Sequence, residues 1–495
     1  MNIPARLSLE DPITKKANKY NLEKLEIFHK SSYVICWRFP KYNHELELPE
    51  QGFKIHLSAT IFNSENIFDI VVPFLLAKRV GFKVVGSNSE LLSLNTNLFG
   101  YSQVGKFITI YPHDDNDAIL LIKDLEEISQ GFTSPRIPSD IRIHPCSIVH
   151  YRYGRINSSS YNSNIYSHNY ITRPDGSEEQ DKRDPKLPVP NWIEDPICKH
   201  WPNNSHDSSN IKSGLFANRF IILRTLRQRA KGGVYLALDF GDTKRNNSLK
   251  TIKRVVLKEA RPLGEIETSG VDATHRIKWQ AHIQKKLHPL GIAPAIIDLV
   301  SVMGNIFLIM EEFGSHSLHE ILLDHSFSLM DKIKLIISTT EHLAIMHDME
   351  IYFFDLSPDN IRVENREHVK LVDFEYANAK NSPILDSEVG TVGFYYDLLK
   401  TRISSKNDTK SFIYRDIYAI GSLLLAAACP KWYESLKENK LEVDWGSCNF
   451  MGELSREIKE IVLKTRPDST HSYQSMKLLL NELKTLPINK IVANT

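Results

Sequence analysis

Asp355-Leu356-Ser357-Pro358-Asp359-Asn360, followed shortly by Leu371-Val372-Asp373-Phe374-Glu375, is the stretch that decides the fold of the second half of this chain. The first motif gives an acid and then an amide across a tight loop, and the second gives a further acid after a strand. Toward the N-terminus, Leu308-Ile309-Met310-Glu311-Glu312-Phe313 reads as a strand running into a hinge. Val255-Val256-Leu257-Lys258 places a lysine at a strand end, and Gly232-Gly233-Val234-Tyr235-Leu236-Ala237 reads as a glycine turn entering a strand. Each piece alone is ordinary, since a Gly-Gly before a strand is usually a turn and a strand lysine is usually solvated. Together and in this order they suit phosphoryl transfer. A magnesium ion bridging phosphate oxygens needs carboxylate and amide oxygens, here Asp373 and Asn360. A cation must hold the polyphosphate, here Lys258, and an acid must orient the attacking hydroxyl and take its proton, here Asp355. Gly232 and Val234 would cover a nucleotide, and Glu311 and Phe313 would receive its base.

From Phe220 the chain forms strands, and from about Leu322 it is mostly helical. A small sheet-rich lobe before a larger helical one, carrying these motifs, resembles the protein-kinase-like superfamily over roughly residues 215–485. Asp416-Ile417-Tyr418-Ala419-Ile420-Gly421 resembles the helix whose aspartate braces the catalytic loop, and Gly390-Thr391 the end of an activation segment. Against the family's GxGxxGxV template, the first two glycines are Arg227 and Arg229, and Gly232 remains. The expected glutamate of the following helix is Gln280, the His-Arg before the catalytic acid is Phe353-Phe354, and the last glycine of the Asp-Phe-Gly motif is Glu375. Asp-Phe-Glu-Tyr-Ala also occurs in choline- and aminoglycoside-type kinases. Retention of Lys258, Asp355, Asn360 and Asp373 argues against a pseudokinase.

The chain has 495 residues, too many for one core. Net charge is +1, which gives no global reason to expect nucleic acid or an anionic membrane as partner. The five cysteines are sparse and form no CxxC pair, so neither a disulfide framework nor a zinc site is indicated, and a reducing cytoplasmic setting is expected. No stretch approaches the roughly 18 apolar residues of a membrane-spanning helix, and no signal peptide is visible. Residues 1–155 are read as a front domain, 156–213 as a linker or substrate-handling segment rich in Ser, Asn and Pro, and 214–495 as the kinase-like domain.

In the front domain a polar lead-in carries a helix around Leu22–Lys30. Strands are read at Lys54–Ala59, Phe82–Val85 and Phe107–Tyr111, and helices at Ser64–Arg79 and from an Asp114 cap to Gln130, giving an α+β or α/β unit. Lys54 and His56 alternate with apolar residues and so share a face. Lys83, Lys106, Arg142 and Arg152 add cations without paired acids, a set that invites an anion, and phosphate above all. The bland reading, solvated cations on an open sheet face, suits any one of them taken singly. The domain resembles the phosphothreonine lyases of bacterial effector proteins over about residues 30–155. That resemblance implies Lys83 as the base, His56 as the acid, and Lys54, Lys106, Arg142 and Arg152 as a phosphate clamp, with no metal required.

A lyase ahead of a kinase resembles, over nearly the whole chain, the class III lanthipeptide synthetases. The implied fold is an α+β multidomain one, a phosphothreonine-lyase-like domain followed by a bilobal kinase-like domain. The implied function is phosphorylation of Ser/Thr in a ribosomal precursor peptide bearing a leader segment, with ATP (or GTP) and Mg2+, then elimination to dehydroalanine or dehydrobutyrine. No zinc is expected. The family's C-terminal cyclase domain has no counterpart before the last residue, so ring closure falls to a separate cyclase, to a missing part, or to none. Three alternatives compete: a small-molecule kinase with an accessory domain, a non-catalytic kinase-like scaffold for the leader, and a phosphoprotein lyase effector, which would leave the kinase half idle.

Overall fold

A computed structural model describes residues 11–28, 34–156, 170–202, 215–241, 252–380, 382, 390–395, 409–439, 448, 450, 454–467 and 469–487. By compactness the chain divides into two units. One comprises Met1–Lys253, Lys258–Thr274 and Ser301–Phe307, the other Arg254–Leu257, His275–Val300 and Leu308–Thr495.

The first unit opens with α1 (Pro12–Lys19), capped by the Asp11 carboxylate, which accepts from the Ile13 and Thr14 amides. Then follow β1 (Glu23–Phe28), β2 (Val34–Phe39), β3 (Gln51–Leu57), α2 (Ser64–Ala77), β4 (Gly81–Val85), α3 (Asn88–Asn95), β5 (Ile108–Tyr111), α4 (Asp115–Ile128), β6 (Ile141–Arg142) and β7 (Val149–Arg155). The helix expected at Leu22–Lys30 is instead β1, as far as it lies within the described residues. Leu25 and Ile27 alternate with Lys24 and Glu26, a period-two pattern that pairs in register with β2. The other expected elements appear with ends shifted by a few residues. Asp114 does cap α4, accepting from the Asp117 amide.

The seven strands form one sheet of order β1-β2-β4-β5-β3-β7-β6, antiparallel throughout. One face is apolar. Phe53, Ile55, Leu57, Phe82, Val84, Ile108, Ile110, Val149 and Tyr151 pack in one core with Phe68, Val72, Leu121 and Leu125 of the two long helices. Because side chains alternate along a strand, the residues between these face the other way.

Residues 170–202, expected in a linker or substrate-handling segment, are folded onto this sheet. They form the hairpin β8 (Tyr170–Thr172) and β9 (Glu178–Gln180) and the short α5 (Pro196–His200). β6 covers β7 only at its start, so the far end of β7 has an open side. The segment wraps around it. Asp181 bonds Arg152 on the polar face, the Tyr153 amide donates to the Pro188 carbonyl, the Trp192 ring meets Tyr153 edge-on, and Ile197 is fully buried in the core.

β10 (Phe220–Arg229), β11 (Gly232–Asp239), β12 (Lys253–Ala260), β13 (Ile296–Val302) and β14 (Asn305–Glu311) make a five-stranded sheet of order β10-β11-β12-β14-β13. The second unit is mainly helical: α6 (Ala273–Leu287), α7 (Leu318–Leu323), α8 (Leu329–Asp348), α9 (Thr409–Ala428), α10 (Pro430–Asn439), α11 (Ser455–Lys464) and α12 (Met476–Lys484). A small sheet of β15 (His316–Ser317), β16 (Ile361–Val363) and β17 (Val369–Leu371) carries the loops of interest. One stretch, Ser411–Ala428 in α9, is long and apolar enough to cross a membrane, which corrects the sequence reading. It is 78% buried among its neighbours, as a core helix is.

Candidate functional site

Register assembles the first site. Lys83 pairs with Thr109, Thr109 with His56, and His56 with His150, while Arg142 pairs with His150 and Lys54 with Arg152. Directly opposed residues project from the same face. Lys83, His56, Lys54 and Arg152 therefore stand on one face of β4, β3 and β7, with Lys83 and His56 two strand spacings apart, about 10 Å.

His56 is buried, and its Nδ1 lies 2.5 Å from Asp140 Oδ2. Asp140 is itself fully buried, accepts from the Ser139 hydroxyl and lies 3.5 Å from the Lys106 ammonium. Burial alone would raise its pKa, but Lys106 and His56 hold the carboxyl well below the ordinary range. An ionised Asp140 accepts a hydrogen bond from Nδ1–H, which keeps the proton there and leaves Nε2 as the exchanging nitrogen. Burial, against the pull of Asp140 and with the push of Lys106 and Lys54, brings the imidazole down to about 3. Asp140 escaped the sequence reading although it begins the motif that supplied Arg142.

Lys83 is half-buried, its ammonium 4.2 Å from the Trp37 ring centroid. Burial first, then Arg183 and Lys106, lower its pKa to about 7. Lys106 is lowered to about 8, by burial and by Arg152 and Arg183 against Asp140. Lys54 falls well below the ordinary lysine value through burial and Arg152. Arg152 is 4% exposed and chelated by both Asp181 oxygens. Its Nε has no hydrogen-bond partner among the described residues. Arg183, in a left-handed conformation at φ 51, acts electrostatically on all of these cations. It sits beyond the sequence boundary at residue 155, and only folding back of its segment could reveal it.

Arg142, opposite His150, is on the same face by register, but its guanidinium is engaged by backbone carbonyls. Its guanidinium donates to the Ser134 and Pro145 carbonyls at 2.7 and 3.1 Å, which fastens the loop over β6 and β7. Arg155 lies on the opposite face of β7 from Arg152 and donates to the Tyr170 carbonyl.

Kinase motifs occur in both units. In the first unit, Gly232 has φ 149, and a Cβ there would lie 2.0 Å from the Glu259 carbonyl oxygen, so only glycine fits. Val234 is half-buried beside it and Lys258 is buried on β12. In the second unit, Asp355 is half-buried and accepts from the Thr391 hydroxyl at 3.1 Å. The Asn360 amide donates to the Asp355 carbonyl at 2.9 Å, which turns its oxygen outward from that bond. Asp416 accepts from the Phe353 and Phe354 amides and from His347, at 2.8 to 2.9 Å, and so braces the loop as its motif suggested. Phe353 packs edge-on against Phe374. Phe354, with φ 75, lies under the Arg415 guanidinium. Asp373 is also left-handed, at φ 69 and ψ 58, a conformation that costs energy and recurs at functional positions. Two side-chain oxygens from Asn360 and Asp373 fit the few protein ligands magnesium takes beside phosphate and water. Gln280 is buried and donates to Gln284. The Glu311 carboxylate pairs with Lys370 at 2.7 Å and its amide with the Ala295 carbonyl. The Phe313 ring lies 4.2 Å from the Lys370 ammonium. Among the described residues no group of three or more His, Cys, Asp and Glu is placed to hold a metal ion.

A family profile described as the RamC N-terminal domain matches residues 30–209, and the protein kinase domain profile matches residues 239–487. The former takes in residues 170–202, in keeping with their packing on the front sheet. Among curated proteins, a probable SapB synthase of Streptomyces coelicolor is 29% identical over 68% of this chain and 36% of its own length. The probable serine/threonine-protein kinase pknA2 of Bifidobacterium longum is 28% identical over 43% of this chain and 27% of its own. The CTD kinase subunit alpha of Saccharomyces cerevisiae is 24% identical over 46% of each. The chain thus spans about a third of the synthase it matches.

Proposed function

The chain belongs to the protein kinase family and carries a RamC N-terminal domain ahead of its kinase domain; from that premise we propose that it dehydrates Ser and Thr residues of a precursor peptide, by phosphorylation in the rear and elimination in front. The arrangement is the one that the resemblance to class III lanthipeptide synthetases calls for. The observation that carries the reading is that Lys54, Lys83, His56 and Arg152 share one sheet face, with Asp140 bound to His56 and approached by Lys106. The orphaned Arg152 Nε supplies a buried donor for an anion.

In the elimination, Lys54, Lys106, Arg152 and Arg183 hold the phosphate group of a phosphorylated side chain. The neutral Lys83 amine takes the α-proton. The freed electron pair forms the Cα–Cβ double bond, the Cβ–O bond breaks, and the phosphate leaves with the proton of His56 Nε2. A dianionic phosphate beside His56 raises the imidazole pKa by opposite charge, so the acid is armed when the substrate arrives.

In the kinase lobe, Asp355 orients the peptide hydroxyl and accepts its proton, while Lys258 holds the polyphosphate. Asn360 and Asp373 would hold magnesium, which supplies charge neutralisation across the phosphates. Adenine would lie against the hinge at Glu311 and Phe313.

The direct test supplies a synthetic phosphoserine peptide without nucleotide and follows it by mass spectrometry. Conversion to the dehydroalanine peptide with release of inorganic phosphate is expected. An unchanged phosphopeptide with several leader sequences would overturn the lyase half.

A further inference from the structure

Two arginines replace glycines in the hairpin expected to cover the nucleotide phosphates, and the structure gives each face of that hairpin a distinct job. Gln228 donates to the Tyr101 hydroxyl at 2.8 Å, and the Tyr235 hydroxyl donates to the Glu259 carboxylate at 2.8 Å. Gln228 is opposite Gly233, two residues before Tyr235. These side chains therefore share one face with Glu259 and Arg261, whose guanidinium bonds both Glu259 and the Tyr101 hydroxyl. Strand alternation then turns Arg227, Arg229, Val234 and Lys258 to the other face. Arg227 is directly opposite Val234, and Arg229 opposite Gly232.

The backbone of the turn is differently committed from that of a glycine-rich phosphate loop. The Gly233 amide donates to Glu259 Oε2 at 3.0 Å, on the face away from Lys258. The Glu259 carboxylate is buried, and Arg261 and Asn305 fix it further. The Lys231 carbonyl accepts from the Arg261 amide at 2.8 Å, which ties the tip to the chain beyond β12. The turn thus directs this N–H toward a resident carboxylate, while two exposed guanidiniums stand on the lysine face. Burial and the charge of Arg227 push the Arg229 pKa down, as expected of like charges held close together.

We propose that Arg227 and Arg229 form a side-chain clamp for the polyphosphate of the nucleotide, acting with Lys258 in place of the amide cradle of a glycine-rich loop. Guanidinium forks match phosphate oxygens two at a time. This rests on the reading of the kinase lobe as nucleotide-binding. The clamp makes the phosphates, rather than the base, the main handle on the ligand.

The test measures binding of Mg–ATP, ADP and adenosine to the full chain by isothermal titration calorimetry, for the parent protein and for the double variant Arg227→Gln/Arg229→Gln. The expected result is a loss of about 10- to 100-fold in ATP and ADP affinity, from removal of hydrogen bonds to charged groups, with adenosine affinity unchanged. Arg227→Lys/Arg229→Lys should restore part of it, and raising the salt concentration should weaken ATP binding more in the parent than in the glutamine variant. Elimination from a supplied phosphopeptide should not change. Equal ATP affinity in parent and variant overturns the clamp, and so does an equal loss for ATP and adenosine, which marks a structural role. A parent protein that binds no ATP overturns the reading of the lobe and the clamp with it.

Discussion

Lys83 meets three influences at once: a half-buried site, an aromatic face at 4.2 Å and other cations around it. A base must be unprotonated to act. Since Lys83 is lowered from 10.5 to about 7, its neutral fraction grows as pH rises through that value. For elimination from a phosphopeptide, kcat/KM should therefore climb by about tenfold per pH unit below about 7 and level off above it. A rate that falls as pH rises from 6 to 8, on the order of one pKa width either side, would exclude Lys83 as the base. Lys83→Ala should slow elimination by about 10²- to 10⁴-fold and let phosphopeptide accumulate when peptide, ATP and magnesium are supplied together. Lys83→Arg should do the same, because a guanidinium stays protonated. In the proposed elimination Asp140 acts through His56, which its carboxylate contacts. Asp140→Asn should lower kcat for elimination by roughly 10- to 100-fold with little change in KM for the phosphopeptide, read by steady-state phosphate release; a rise in KM alone would assign Asp140 to phosphate binding instead.

The hairpin β8–β9 and the chain after it supply what the front sheet lacks, a carboxylate for a buried guanidinium. Arg152 and Asp181 are both nearly inaccessible. Removing the acid strands the cation, so Asp181→Ala should destabilise the front domain by about 3–5 kcal/mol in urea unfolding followed by tryptophan fluorescence. The same pairing explains what the sequence could and could not disclose. Lys54 and His56 were legible because period-two alternation puts them on one face without any knowledge of pairing, whereas Lys83, on another strand, was singled out by the resemblance and joins that face only through the pairing of β4, β5 and β3. Lys106 and Arg152 were legible as cations in excess of acids. Asp181 and Arg183 were not, because Ser, Asn and Pro around them resemble a linker, and only the open side of β7 gives that chain something to pack against. β1 was misjudged because a stretch of mixed charged and apolar residues looks helical until a partner strand is known. In the kinase domain, order and spacing singled out Asp355, Asn360 and Asp373 as candidates, yet nothing local foretold the left-handed backbone at Phe354 and Asp373.

At the scale of the molecule, the two chemistries proposed for one chain should separate cleanly. Asp373→Asn should reduce phosphorylation of a precursor peptide by at least about 100-fold while still converting a supplied phosphopeptide. Mixed with Lys83→Ala protein, which phosphorylates but does not eliminate, it should restore dehydrated product, as mass spectrometry of the shared peptide would show. Failure of the mixture, with each half active alone, would mean that the intermediate passes between sites without leaving the protein. The wrap of residues 170–202 around β7 also bears on how this chain can be cut and recombined. A boundary at residue 155, natural from composition, would leave Arg152 without its carboxylate and uncover the bed of Ile197. Donor fragments for chimaeras should therefore run to residue 202 or beyond, and a swap of front domains between relatives that joins the chains before the hairpin would transplant the Arg152 side of the cationic cluster without its carboxylate.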